Sequence, residues 1–148
     1  MSGLLLLSAC SKDNINYFPS KEATLDEFIQ GEGIKGTIDL ITTTNDEELL
    51  VIQQGQNNYF VGELLEDKKG FAANRISANV VMKLGGSWEL KTIANHKYTI
   101  YFEKEQENQN FFPLSNGDYY ISIVVGHQVK KEDPIFTNSI KHIKIIKD

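Results

Sequence analysis

From Lys35 onward the chain is a succession of short β-branched and aromatic runs, each closed by a turn signal, and that succession limits it to strand-rich architectures. Thr37 to Thr43 is rich in Ile and Thr and gives way to the acidic turn Asn45-Asp46-Glu47. Leu49 to Gln54 follows, then the turn Gln56-Asn57-Asn58 and the run Tyr59 to Leu65. Asp67-Lys68-Lys69-Gly70 leads into Phe71 to Leu84, with a break expected near Asn74. Gly85-Gly86 precedes Trp88 to Ile93. Asn95-His96 precedes Lys97 to Glu103, where Tyr98, Ile100 and Phe102 alternate with Thr99 and Tyr101, as the two faces of a strand require. Polar Glu105 to Asn110 separates that run from Phe111-Phe112-Pro113. Asn116-Gly117, a strong turn dipeptide, opens Tyr119 to Val125, whose apolar character marks a central strand. A charged loop, Lys130 to Pro134, leads to the last run, Ile140 to Ile146.

These runs make about eight antiparallel strands, in a sandwich or in meander sheets, with Gly85-Gly86 placed to divide two sheets. One short helix precedes them. Thr24-Leu25-Asp26-Glu27 matches a capping box, in which the Thr hydroxyl and the Glu carboxylate satisfy backbone N–H groups reciprocally. Leu25, Phe28 and Ile29 then share a helical face, and Gly31 and Gly33 end the run. The helix can begin as early as Ser20. The class is mainly β (α+β).

The first ten residues carry a different signal. Leu4 to Leu7 is an apolar run, and Leu7-Ser8-Ala9-Cys10 resembles the lipobox of bacterial lipoproteins, with small residues ahead of the only cysteine in the chain. The resemblance implies that Cys10 is thioether-linked to diacylglycerol and becomes the mature N-terminus. It further implies an exported protein of a Gram-positive type, held on a cell membrane and facing outside the cytoplasm. A full leader has a basic start and about 7–15 apolar residues. No Lys or Arg precedes Cys10, so the expectation is either a true start upstream or a chain that is a fragment. The division of the chain is then residues 1–9 as a signal-peptide remnant, 10–19 as lipidated cysteine and tether, and 20–148 as one strand-rich domain. With Cys10 acylated no thiol remains for a disulfide, so the domain must hold by packing.

Charge narrows the partners. The net charge of −5 argues against a nucleic-acid binder, which needs a basic surface against phosphates. Residues 11–67 hold 12 acids and 3 bases, for −9, whereas residues 68–148 hold 8 acids and 12 bases, for +4. Either the halves fold against each other and compensate, or the basic half faces an anionic envelope surface.

No residue pattern specifies chemistry. His96, His127 and His142 fall on separate elements without the close spacing of a zinc site, so neither metal nor cofactor is expected. Glu103, Glu105 and Glu107 alternate along an extended stretch but sit among Gln and Asn, as a solvated loop does. Asp46-Glu47-Glu48 and Glu132-Asp133 read as solvated turns. Gly85-Gly86-Ser87-Trp88 lacks the Gly-x-Ser-x-Gly frame of a nucleophile turn. Trp88, Tyr98, Tyr101, Tyr119 and Tyr120 are candidates for an aromatic platform that stacks a glycan or peptide, against their ordinary use in strand packing. The leading expectation is a non-catalytic binding module for a protein or envelope polymer. One alternative is an immunity or inhibitor lipoprotein whose acidic half docks a basic toxin through Glu47, Glu48, Glu66 and Asp67. The other is an envelope hydrolase using a histidine base that only the fold would assemble.

Overall fold

The computed structural model describes residues 15–105, 110–130 and 137–148. The lipobox Leu7-Ser8-Ala9-Cys10, Glu107 and Glu132-Asp133 lie outside the described residues.

Phe18 lies beside Phe71 and exchanges both backbone hydrogen bonds with it, at 2.7 and 2.8 Å. Ser20 then starts α1 (Lys21–Glu32). Its hydroxyl accepts from the Ala23 N–H at 3.1 Å, and Gly33 closes the helix at φ 64°, a left-handed conformation that a glycine adopts without strain. The capping box at Thr24 does not form. Thr24 is buried in the first turn, and its hydroxyl donates to the Phe71 carbonyl at 3.0 Å. A tertiary acceptor has claimed the hydroxyl, and the exposed Ser20 caps instead. Gly31 falls inside the helix rather than ending it.

Ten strands follow among the described residues: β1 (Ile38–Thr43), β2 (Glu48–Gly55), β3 (Asn58–Asp67), β4 (Gly70–Arg75), β5 (Val80–Val81), β6 (Gly86–Lys91), β7 (Lys97–Glu103), β8 (Phe112–Pro113), β9 (Tyr120–Val125) and β10 (Ile140–Lys147). The run from Phe71 to Leu84 is split into β4 and β5. The first sheet has the order β10-β1-β2-β3-β4, with β5 paired to β3. The second has the order β6-β7-β9-β8, and every pairing between the named strands is antiparallel. Gly85-Gly86 marks the passage from one sheet to the other, and β9 is an inner strand. β10 returns to the first sheet beside β1.

The layers follow from period-two alternation. Ile41, Leu49, Val51 and Val61 point from the first sheet onto Leu90, Ile100, Phe102, Ile121 and Ile123 of the second. Leu40, Leu50, Ile52, Phe60 and Leu64 point the other way, beneath Phe28 and Ile34. The first sheet is therefore buried on both faces, which is why Leu49 to Ile52 reads as an unbroken apolar run. Each of these side chains contributes about 1.5–3 kcal/mol by leaving water. Gly62 lets the helix approach, because a Cβ there would sit 3.0 Å from the Phe28 ring.

Buried polar groups tie the sheets together. Asp39 accepts from the Ser115 N–H and hydroxyl, at 3.2 and 3.1 Å. Asn116 donates to the Tyr59 hydroxyl at 2.6 Å, and the Tyr119 hydroxyl lies against Asn57 Oδ1 and the Met82 carbonyl. Glu63 accepts from the Ile93 N–H at 2.9 Å. Ser139 bonds the Ile123 carbonyl through both its N–H and hydroxyl, while its own carbonyl accepts from Thr44. It staples the end of β1 to β9.

Candidate binding site

The hairpin turn between β1 and β2 is shaped by one hydroxyl. Thr43 Oγ1 accepts from the backbone N–H groups of Asn45 and Glu47, each at 3.3 Å. Asp46 takes φ 60°, which Asp tolerates better than most residues. The turn thereby directs Glu47 toward β7, where Tyr98 reaches across from the second sheet. The Tyr98 hydroxyl donates its single proton to Glu47 Oε1 at 2.7 Å. Asn45 Nδ2, at 2.9 Å, and the Thr43 hydroxyl, at 3.1 Å, must then donate to the tyrosine oxygen. His96 Nδ1 lies 3.0 Å from the same Glu47 oxygen. Burial pushes the Tyr98 hydroxyl up to about 12, opposed in part by its bond with Thr43. Glu47 is thus no solvated turn residue: its side chain is 10% exposed, and Oε2 is buried without a hydrogen-bond partner.

Glu47 lines a concavity of about 490 Å³ at this end of the first sheet. Asp46, Glu48, Glu63 and Glu66 line it too, with Lys21. Lys21 Nζ lies 3.5 Å from Glu48, and Lys141 pairs with Asp46. Five carboxylates against Lys21 and the Lys141 that pairs with Asp46 leave the site negative. Glu48 and Glu66 therefore line the same concavity as Glu47, whereas Asp67, at the end of β3, accepts from the Lys69 N–H at 2.6 Å.

A second cavity of about 490 Å³ opens between the β4 and β6 edges, lined by Ile15, Ile76, Ala78 and Ile93 with Asn74, Arg75 and Lys91. Arg75 is already committed to structure. It donates to Glu32 at 3.0 Å, to the Ser77 carbonyl at 2.8 Å and to Asn79 at 2.7 Å, and its guanidinium stacks 4.0 Å from the Phe60 ring. Its work is to clamp the end of α1 to the sheet.

The five candidate aromatics do not form one exposed face. Tyr98 and Tyr119 are buried, at 0% and 1% exposure, and point into the core. Trp88 packs 5.3 Å from the Phe102 ring on the same inward side. Tyr101 and Tyr120 alternate with inward-facing Ile100, Phe102 and Ile121, so they lie on the opposite face. Register decides the matter: positions an odd number apart along one strand face opposite sides, so Tyr98 and Tyr101, and Tyr119 and Tyr120, cannot share a platform. The histidines are also apart. His96 meets Glu47, His127 Nε2 lies 3.1 Å from the Leu90 carbonyl, and His142 is exposed on β10. Among the described residues, no group of three His, Cys, Asp or Glu side chains has a geometry that could hold a metal ion. Nor is any described helix long and apolar enough to cross a membrane.

Sequence reading took Glu47 for a solvated turn residue, and for one of the four docking acids of the immunity alternative, because nothing local reveals its enclosure. Its partners come from a strand about fifty residues away, and only the pairing of sheets brings them together. The chain matches no protein-family model, no curated protein and no solved structure.

Proposed function

We propose that the chain is an exported lipoprotein, held on a cell membrane by a lipid on Cys10, whose strand-rich domain is a non-catalytic binding module facing outside the cytoplasm. Its partner is a protein or an envelope polymer. The observation that supports this reading is the acidic concavity, lined by Glu47, Glu48, Glu63 and Glu66 at one end of the first sheet. A surface fixed by packing and by buried tyrosine bonds is preorganised for recognition. Two measurements test it. Mass spectrometry of the native protein should find a mature N-terminus at Cys10 carrying diacylglycerol. A free thiol with residues 1–9 still attached would remove the anchor. Cross-linking through the acidic face should trap one stoichiometric partner, and hydrolysis of an envelope substrate by the purified chain would overturn the module.

The immunity or inhibitor reading gains from the same geometry, since three of its four acidic residues line one concavity. It requires binding that weakens as salt is added and fails on charge reversal at Glu47, Glu48 and Glu66.

A further inference from the structure

We propose that Asn116-Gly117 is a site of spontaneous covalent modification, shielded in the folded chain and exposed to reaction when the β8–β9 turn opens, and that the modification then keeps the turn from closing. The inference goes beyond the binding-module reading and needs neither lipid nor partner. This is the only Asn-Gly step in the chain. Glycine has no side chain to screen its amide nitrogen, so that nitrogen can reach the asparagine amide carbon. Gly117 is exposed, and water and hydroxide have access to it. The Gly117 nitrogen gives its proton to hydroxide and bonds to Asn116 Cγ. The Cγ–Nδ2 bond breaks, and the departing nitrogen takes a proton from water and leaves as ammonia. A further water opens the resulting five-membered imide at either carbonyl. The product is an aspartate, or an isoaspartate whose main chain runs through Cγ. Net, one water is consumed and one ammonia released, with no oxidation.

The fold pins the groups that this reaction must move. Asn116 Nδ2 donates to the hydroxyl of buried Tyr59 at 2.6 Å, and Oδ1 accepts from the Asp118 N–H at 2.9 Å. The Gly117 N–H, whose proton must be lost, donates to the Leu114 carbonyl at 3.0 Å. The Leu114 N–H in turn donates to the Tyr119 carbonyl at 3.0 Å and closes the turn. Attack requires Asn116 to rotate off Tyr59 while Gly117 leaves Leu114, a local opening that the intact ties make rare. The products cannot restore those ties. An ionised aspartate has no N–H to give the Tyr59 oxygen. Its charge would join those of Asp39 and Asp118, both of which already bear on the Tyr59 hydroxyl. Asp39 is itself held to the adjoining Ser115, whose N–H and hydroxyl donate to it at 3.2 and 3.1 Å. An isoaspartate lengthens the main chain between Ser115 and Gly117, so the bond from Gly117 to Leu114 no longer spans the turn.

The test ages the full chain in detergent at mildly alkaline pH, folded and in guanidinium chloride. Peptide mass spectrometry follows each asparagine, and electron-transfer fragmentation separates isoaspartate from aspartate. Exposed Asn95, followed by His96, is the internal control. In the folded chain Asn116 should convert at least about 10-fold more slowly than in denaturant, in step with the small population of the open turn. In denaturant it should outrun Asn95. Tyr59→Phe removes the acceptor for Nδ2 and should speed Asn116 several-fold with Asn95 unchanged. Where that variant unfolds, both sites speed up together, and Asn116→Asp carries the test. Its urea midpoint should fall below that of the parent, and added salt should recover part of the loss. Equal rates at Asn116 in the folded and denatured chains would overturn the shielding. An Asn116→Asp chain as stable as its parent, together with an isoaspartate form that refolds fully, would overturn the block on closure.

Discussion

Tyr98 shows how much one hydroxyl can hold. It ties β7 to the β1–β2 turn through Glu47, Asn45 and Thr43. Tyr98→Phe should destabilise the protein by about 1–3 kcal/mol, the usual cost of leaving a buried polar partner unmet. Urea denaturation measures this, and a loss below a few tenths of a kcal/mol would show that the cluster is not structural. The tyrosines also set a pH limit. Burial pushes Tyr59 and Tyr98 up to about 12, above the ordinary value of 10.0. The folded chain then keeps protons that the unfolded chain gives up. The associated stability is complete below about pH 10 and is lost as pH rises through about 12. Thermal unfolding should be flat to about pH 10 and then fall, and a Tyr59→Phe, Tyr98→Phe variant should fall less steeply. Asp39 obeys the same sign. Burial raises its carboxyl, against the pull of the Ser115 bonds, so its contribution is greatest in acid and declines as pH rises through the raised value.

The helix is the element least able to stand alone. At 12 residues it is marginal in isolation, and its hold on the sheet runs through Phe28, which meets the Phe60 ring edge-on at 6.2 Å. Phe28→Ala should cost about 3–5 kcal/mol, and Ser20→Ala about 1 kcal/mol through loss of the cap. Hydrogen exchange should show α1 amides opening in the Phe28 variant before those of β2 and β3. Uniform opening would mean that helix and sheet form one cooperative unit. The strands themselves were legible because β-branched runs and turn dipeptides are local signals. Lys97 to Glu103 could be delimited to the residue, and Asn116-Gly117 turns where expected, with Gly117 at φ 75°. The cap was misplaced by four residues because Ser20 and Thr24 both offer a hydroxyl oxygen that can accept from the first-turn N–H groups. Only the Phe71 carbonyl, in another element, decides between them. The candidate site was legible only as separate acids, since neither the enclosure of Glu47 nor the inward turn of Tyr98 leaves a local trace.

Across the domain the unequal charges of the two halves meet. Arg75 pairs with Glu32 and Lys141 with Asp46, each joining the basic half to the acidic one. Folding the halves together is what brings neutralisation, although the concavity keeps a surplus. The outer edge of the first sheet is guarded differently. β10 carries Lys141, Lys144 and Lys147, which discourage another strand from pairing with its open backbone. Lys141→Thr with Lys144→Thr should promote self-association through that edge, seen by analytical ultracentrifugation as a concentration-dependent dimer. A persistently monomeric variant would place the protection elsewhere. β10 also has a temporal meaning. Its partner β1 lies about a hundred residues earlier, so the pairing is among the least local in the domain. The hairpins from β1 to β4 can zip up as soon as they emerge, yet β1 keeps a bare flank until Ile140–Lys147 arrives. A nascent polypeptide is therefore obliged to leave that flank open, and in need of shielding, until the last of these strands has emerged.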